Sequence, residues 1–226
     1  MNKAIIGKKL GMSHVFLTDG TMIPVTVIKA GPCPIIQKKT ADSDGYSAVQ
    51  LGFLDIREKL ATKPRLGHFK KANQKALKVL KEFKLNDITN LNVGDIVKCS
   101  TFAENDMVDV SGVTQGRGYA GQIERNGGHR MFETHGTGPC ARQSGSMGSN
   151  TSPARVFPGH EMPGHLGSDN VTVQNLKVIK VDETRDILMV KGAVPGVKGS
   201  IVTVRSAVRT QKAPSTRVST SKKQKK

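Results

Sequence analysis

The 226-residue chain has no tryptophan, three cysteines, and aromatic residues at only 4%. No apolar run approaches the ~18–20 residues that a bilayer-crossing helix needs. Cys33, Cys99 and Cys140 are odd in number, far apart and without a CxxC pair. That argues against a disulfide framework and a zinc knuckle and fits a reducing compartment. Residues 1–10 run straight into strand-like sequence, lacking the apolar core of a secretory signal and the Arg/Ser-rich character of a transit peptide. The mature protein is therefore expected to begin here and to be cytoplasmic. Apolar residues make up 36%, where compact domains usually have about 45–50%. Part of the chain is expected to build no core of its own.

What the chain has in excess is positive charge. Thirty-five Lys and Arg face eighteen Asp and Glu, a net charge of +17, with a pI near 10.0. Such self-repulsion is tolerable where a polyanion neutralises it. Nucleic acid is the expected partner. A membrane surface is not, because no amphipathic helix pairs a basic face with a broad apolar one. A solvated basic surface is the plain alternative.

The N-terminal part reads as β. Val15-Phe16-Leu17-Thr18 and Thr21-Met22-Ile23-Pro24-Val25 flank Asp19-Gly20, a hairpin signal. Pro24 points to an edge position or a bulge. Residues 48–53, 95–99 and 107–110 are further short strands, and the β pattern returns at 171–180, 187–191 and 200–205. Short strands at regular spacing point to a barrel or a sandwich. Between them, Phe69, Ala72, Ala76, Leu80 and Phe83 recur at helical spacing and predict a helix over 68–84. Lys70, Lys71, Lys75, Lys78, Lys81 and Lys84 lie off that stripe, as a solvated face or one laid along RNA phosphates. No acid follows Asp186, and the Ser/Thr/Lys-rich stretch 211–226 reads as a flexible basic tail.

Residues 114–167 differ from all of this. Twelve of these residues are Gly, four are Pro, and only eight are Val, Ile, Leu, Met or Phe. No helical or strand period persists. Structureless loops longer than ~12–15 residues are uncommon inside compact domains. A segment so poor in apolar groups cannot offset its ordering entropy by self-burial. From Ser100 to Leu176 there is no lysine at all; the cations are Arg117, Arg125, Arg130, Arg142 and Arg155. Arginine suits sites where a partly dehydrated cation must grip phosphate bidentately or stack on a base. Glycine and serine let the backbone approach a crowded surface. An extension threaded into folded RNA explains this composition better than a free linker.

Two patterns in the segment are set aside. Gly116-Arg117-Gly118-Tyr119-Ala120-Gly121 matches GxGxxG, but a poor helix-former follows and Ala-Arg stands about 20 residues on, where a dinucleotide fold has an acid. His129, His135, His160 and His165 lack the tight pairing of structural zinc, so no metal is expected. No nucleophile carries a local signature, and the chain is not expected to be an enzyme or to take a cofactor or a small-molecule substrate.

Several colinear motifs resemble one family. Ile6-Gly7-Lys8-Lys9-Leu10-Gly11-Met12-Ser13-His14-Val15-Phe16 is similar to the opening of the bacterial-type L-three family of large-subunit ribosomal proteins. Val110-Ser111-Gly112-Val113-Thr114-Gln115-Gly116-Arg117-Gly118-Tyr119-Ala120-Gly121 resembles the start of its long extension. Ser144-Gly145-Ser146-Met147-Gly148 and Thr151-Ser152-Pro153-Ala154-Arg155-Val156-Phe157 resemble the tip and its return. Gly164-His165-Leu166-Gly167 and Lys191-Gly192-Ala193-Val194-Pro195-Gly196 match the closing part. After Phe157, where the family usually has lysines, this chain has Pro158-Gly159-His160-Glu161.

The resemblance implies a mainly β fold: a barrel of the type shared with translation factors, a small helical insertion and a long irregular extension. Along the chain this gives a barrel over 1–60, 93–113 and 168–208, an insertion over 61–92, an extension over 114–167 and a tail over 209–226. It implies direct binding to 23S rRNA early in subunit assembly, with the extension reaching towards the peptidyl transferase centre. The fourteenth and nineteenth large-subunit proteins would be neighbours. Expected rRNA contacts are Lys8, Lys9, Lys70, Lys71, Lys75 and Lys78 on the globular part. On the extension they are Arg117, Tyr119, Arg125, Arg130, His135, Arg142, Ser144, Met147, Asn150, Arg155 and His165. A free-standing RNA chaperone or translational regulator is the alternative reading.

Overall fold

The computed structural model of the chain describes residues 3–85 and 88–208. In chain order its elements are β1 (Ala4–Phe16), β2 (Met22–Ala30), β3 (Cys33–Lys39), α1 (Ala41–Asp44), β4 (Ala48–Asp55), α2 (Lys63–Lys71), β5 (Leu77–Phe83), β6 (Ile96–Val97) and β7 (Met107–Val113). Then come β8 (Gly118–Ala120), α3 (Gln122–Asn126), β9 (Gly164–Leu166), β10 (Asn170–Asp182), β11 (Ile187–Lys191) and β12 (Ile201–Ser206). The fold is mainly β. The expected tail over 209–226 lies outside the described residues.

Six antiparallel strands close a barrel in the order β1-β12-β7-β10-β11-β2. This settles barrel against sandwich. Closure removes the free edges that an open sheet of this size would present. Its interior is branched and aliphatic: Ile5, Ile28, Val108, Val110, Val178, Leu188, Val190, Val202 and Val204 are fully buried. Each such side chain contributes about 1.5–3 kcal/mol on burial. Gly7 is small for a packing reason, because a Cβ there would run into Ile28 and lie 2.9 Å from the Lys29 carbonyl.

A second sheet, β5-β4-β3-β6, shares the barrel's main core through Ile35, Val49, Leu51 and Phe53, joined by Cys99 and Phe102 from the turn after β6. Residues 33–55, expected in the barrel's first part, therefore stand in this sheet instead. A smaller core of Ile36, Phe69, Ala72, Ala76 and Leu77 sits beneath α2.

The helix expected over 68–84 holds only at its start, residues 68–71, and is overturned over the rest. Helix α2 ends at Lys71, Asn73 takes φ 52°, and Leu77–Phe83 pairs with β4 from Val49↔Phe83 to Asp55↔Leu77. Ladder bonds to β4 override a helical spacing that strand residues can also satisfy. Lys78 and Lys81 thus stand on β5 and Lys84 just past its end, apart from the lysines of α2.

The hairpin prediction holds with a longer connection. Leu17 and Thr21 bracket Thr18-Asp19-Gly20; the Leu17 N–H donates to the Thr21 carbonyl at 3.0 Å and Gly20 takes φ 80°. Pro24 lies just past the last rung of β2 with β11, Val25↔Lys191, where its missing N–H costs no ladder bond.

Strand registers fix which segments leave the barrel at which end. At one mouth lie the end of β7, the start of β10, the end of β11 and the start of β12. The 114–169 arm and the β1–β2 ribbon leave there. The second sheet and residue 208 leave at the opposite mouth.

Candidate nucleic-acid interface

The arm is anchored at its neck by backbone bonds. The Thr114 N–H donates to the Asp169 carbonyl at 2.9 Å, the Asp169 N–H to the Thr114 hydroxyl at 3.1 Å, and the Arg117 N–H to the Leu166 carbonyl at 2.9 Å. Strands β8 and β9 then pair over three residues, from Gly118↔Leu166 to Ala120↔Gly164. Gly167 is required here: it takes φ 80°, and a Cβ would run into the Gln115 carbonyl. The stretch after the GxGxxG pattern forms the one-turn helix α3, capped at Gly121 and ended at Gly127 with φ 72°. It is too short and too late for a dinucleotide fold, since the motif itself lies partly in β8.

Beyond the neck, regular structure almost stops. From 121 to 166 no residue is buried. A single 3₁₀ turn, Gly138–Arg142, interrupts the irregular chain. Phe132 is 89% exposed and Tyr119 79%. Large aromatic surfaces left in water on an otherwise polar arm mark a contact region, and aromatic faces accept stacked bases.

The five arginines fall into distinct situations. Arg125 donates to the Met162 carbonyl at 2.7 Å and packs over Gly164, so it holds the arm's two strands together. Arg117 pairs with Glu124 at 3.3 Å and Arg130 with Glu133 at 2.7 Å, all four side chains more than half exposed. Exposed pairs of this kind are worth only about 0–1 kcal/mol, so a phosphate can replace the carboxylate at little cost. Arg155 lies 5.3 Å from the Phe157 ring, a cation–π contact that leaves guanidinium edges open. Arg142 is exposed at the end of the 3₁₀ turn and makes no hydrogen bond or ion pair among the described residues.

Other expected contacts are brought together. Tyr119 and His165 are paired across β8 and β9, so both side chains stand on one face of the neck, and both are exposed. Met147, Asn150 and Arg155 line one open cleft of about 310 Å³ at the tip. His135 is exposed; Ser144 is half-buried. Sequence reasoning missed Phe132 and Phe157. Their signal was available: they are the only phenylalanines in the glycine-rich stretch.

On the globular part, Lys70, Lys71, Lys75 and Lys78 are all exposed, and Lys8 is half-buried. Lys9 is committed elsewhere: its ammonium donates to the carbonyls of Val194 and Gly196, each at 2.7 Å. It ties β1 to the turn before β12 at the barrel mouth. Lys39 is likewise engaged. It donates to Glu82 at 2.7 Å and to the Tyr46 hydroxyl at 2.6 Å, while the Lys39 and Lys84 ammoniums lie 5.0 and 5.2 Å from the Tyr46 ring. The hydrogen bond from Lys39 holds the Glu82 carboxyl below its usual range, and the same contact, followed by that to Tyr46, raises Lys39. Among the described residues no cluster of His, Cys, Asp or Glu could hold a metal.

The chain matches known proteins along most of its length. A family model described as "Ribosomal protein L3" matches residues 59–187. The large ribosomal subunit protein uL3 of Carboxydothermus hydrogenoformans is 47% identical over 209 residues, covering 92% of this chain and 99% of that protein. The protein of the same name from Desulfitobacterium hafniense is 46% identical over 209 residues, covering 92% and 98%.

Proposed function

The chain belongs to the ribosomal protein L3 family and is a structural constituent of the large ribosomal subunit; on that premise we propose that it binds 23S rRNA directly, with the 114–167 arm as its principal grip. The carrying observation is the arm itself: residues 121–166 bury no side chain yet hold arginine as their only Lys or Arg. The chain's own packing does not account for such a segment. Surrounding RNA does, through bidentate phosphate contacts and stacking on Tyr119, Phe132 and Phe157.

In this reading Arg142 and the cleft of Met147, Asn150 and Arg155 meet RNA at the tip, which points towards the peptidyl transferase centre. Tyr119 and His165 contact RNA at the neck. Exposed Lys70, Lys71, Lys75 and Lys78 add peripheral, salt-sensitive attraction to phosphates, each neutralised phosphate contributing about −0.7 to −0.9 to the log–log salt slope. The protein acts early in assembly, in the cytoplasm, beside the fourteenth and nineteenth large-subunit proteins. Its contribution to peptide-bond formation is architectural.

Binding of the full chain to a 23S rRNA fragment, with bulk tRNA as competitor, tests the proposal. We expect the rRNA fragment to win strongly. Arg142→Ala should weaken binding about tenfold, the worth of one charge-assisted contact of ~1.5 kcal/mol; Lys75→Ala should change it far less. Equal affinity for both RNAs would contradict the proposal and favour a chaperone.

A further inference from the structure

The β1–β2 hairpin is longer than the barrel. Strand β1 pairs with β12 only as far as Lys8↔Ile201, and β2 pairs with β11 only as far as Val25↔Lys191. Their mutual pairing runs on from Gly11↔Val27 to Phe16↔Met22, and its last three rungs, from His14↔Pro24 to Phe16↔Met22, have no further strand paired on either side. Directly paired residues share a face of a sheet. The pairs Met12↔Thr26, His14↔Pro24 and Phe16↔Met22 therefore put Met12, His14, Phe16, Pro24 and Met22 on one side. Along β2 this is the side that carries Ile28 and Ala30 into the barrel interior.

The ribbon is thus an apolar continuation of the core with the covering strands removed. Phe16 is 65% exposed, Met22 58% and Met12 55%, and the His14 ring stands edge-on to Phe16 at 5.6 Å. A contiguous apolar face on a projecting ribbon is a costly thing to leave in water.

Charge says what covers it. Lys8, Lys9 and Lys29 flank the ribbon, but residues 10–28 contain no Lys or Arg at all, and Asp19 is their only formal charge. In a chain carrying +17, a 19-residue gap in the cations is a poor surface for phosphate. The chain's own C-terminal residues do not fit either: the last described residue, Val208, lies at the opposite barrel mouth, and residues 209–226 are rich in Lys, Ser and Thr.

We infer that the ribbon face of Met12, His14, Phe16, Met22 and Pro24 docks against an uncharged, apolar surface of a partner protein in the large subunit. The inference rests on the large-subunit reading above and assigns a protein-binding face beside the RNA-binding arm, at the same barrel mouth.

Photocrosslinking in assembled subunits tests it. The full chain carries p-benzoylphenylalanine in place of Phe16, in place of Met22, or, as a reference, in place of Phe132 in the arm. From Phe16 and Met22 we expect a nuclease-resistant adduct with one and the same large-subunit protein, identified by its peptides. From Phe132 we expect a nuclease-sensitive adduct. RNA adducts at Phe16 and Met22, an adduct with a second copy of this chain, or no adduct while Phe132 captures RNA would overturn the inference and leave the rRNA reading standing. A chain absent from large subunits would overturn both.

Discussion

The lysines of this chain divide by what their ammonium groups touch, and that division is invisible in composition. Lys9 sits in the same run as Lys8, yet its ammonium is held by two backbone carbonyls. Lys3 is held by Asp106 at 2.9 Å. That contact, with the Ala103 N–H, keeps the Asp106 carboxyl below its usual range. A carboxyl depressed on folding contributes stability that is complete above its unfolded value, near 4, and fades as pH falls through the lower folded value. Glu82 beside Lys39 acts in the same sense. We expect the urea midpoint to be level from pH 7 to 5 and to fall below about pH 4. Asp106→Asn should flatten part of that fall and cost about 1 kcal/mol at most at pH 7, the pair being partly exposed. An unchanged acid limb in Asp106→Asn would show that this pair carries none of it. Asp109 makes the complementary point. It is buried, accepting the N–H groups of Asn175 at 3.0 Å and Val208 at 3.2 Å, and nothing in the alternation of β7 distinguishes it from a surface acid.

Among the elements, β11 was legible residue for residue, because Ile187–Lys191 alternates without competing signals. Strand β5 was not. The spacing Phe69, Ala72, Ala76, Leu80 and Phe83 reads as one helix until the ladder with β4 is known, and only Asn73, in a left-handed conformation, marks the break. Strand β3 escaped notice because prolines surround its start. The arm was legible as a composition, through its glycine, its arginine and its missing lysine. Its internal contacts were not, since the bond from Arg125 to Met162 joins residues 37 apart with no periodicity between them. The neck offers a direct test. Gly167→Ala places a side chain at φ 80° against the Gln115 carbonyl. This should destabilise the neck by about 1–3 kcal/mol. Tryptic cleavage after Arg117 and Arg125 should accelerate while the barrel's unfolding midpoint moves little. Cleavage at the native rate would show that the neck tolerates the strain.

At the scale of the whole molecule, the barrel separates two territories. One mouth holds the second sheet, the core under α2 and the point where the described chain ends. The other releases the arginine-bearing arm and the cation-free ribbon side by side. On the reading proposed above, RNA and protein contacts are presented from one end of the closed barrel. The barrel is stabilised by its own core; the arm is not, and its order is assigned to its surroundings. Amide hydrogen exchange, measured on the free chain and on the same chain in assembled large subunits, tests this most directly. In the free chain, amides of 128–162 should exchange at nearly unprotected rates while those of β7, β10 and β12 are protected; in the subunit, the arm should become as protected as the barrel. An arm equally protected in the free chain would mean that it folds against itself, and would contradict the account.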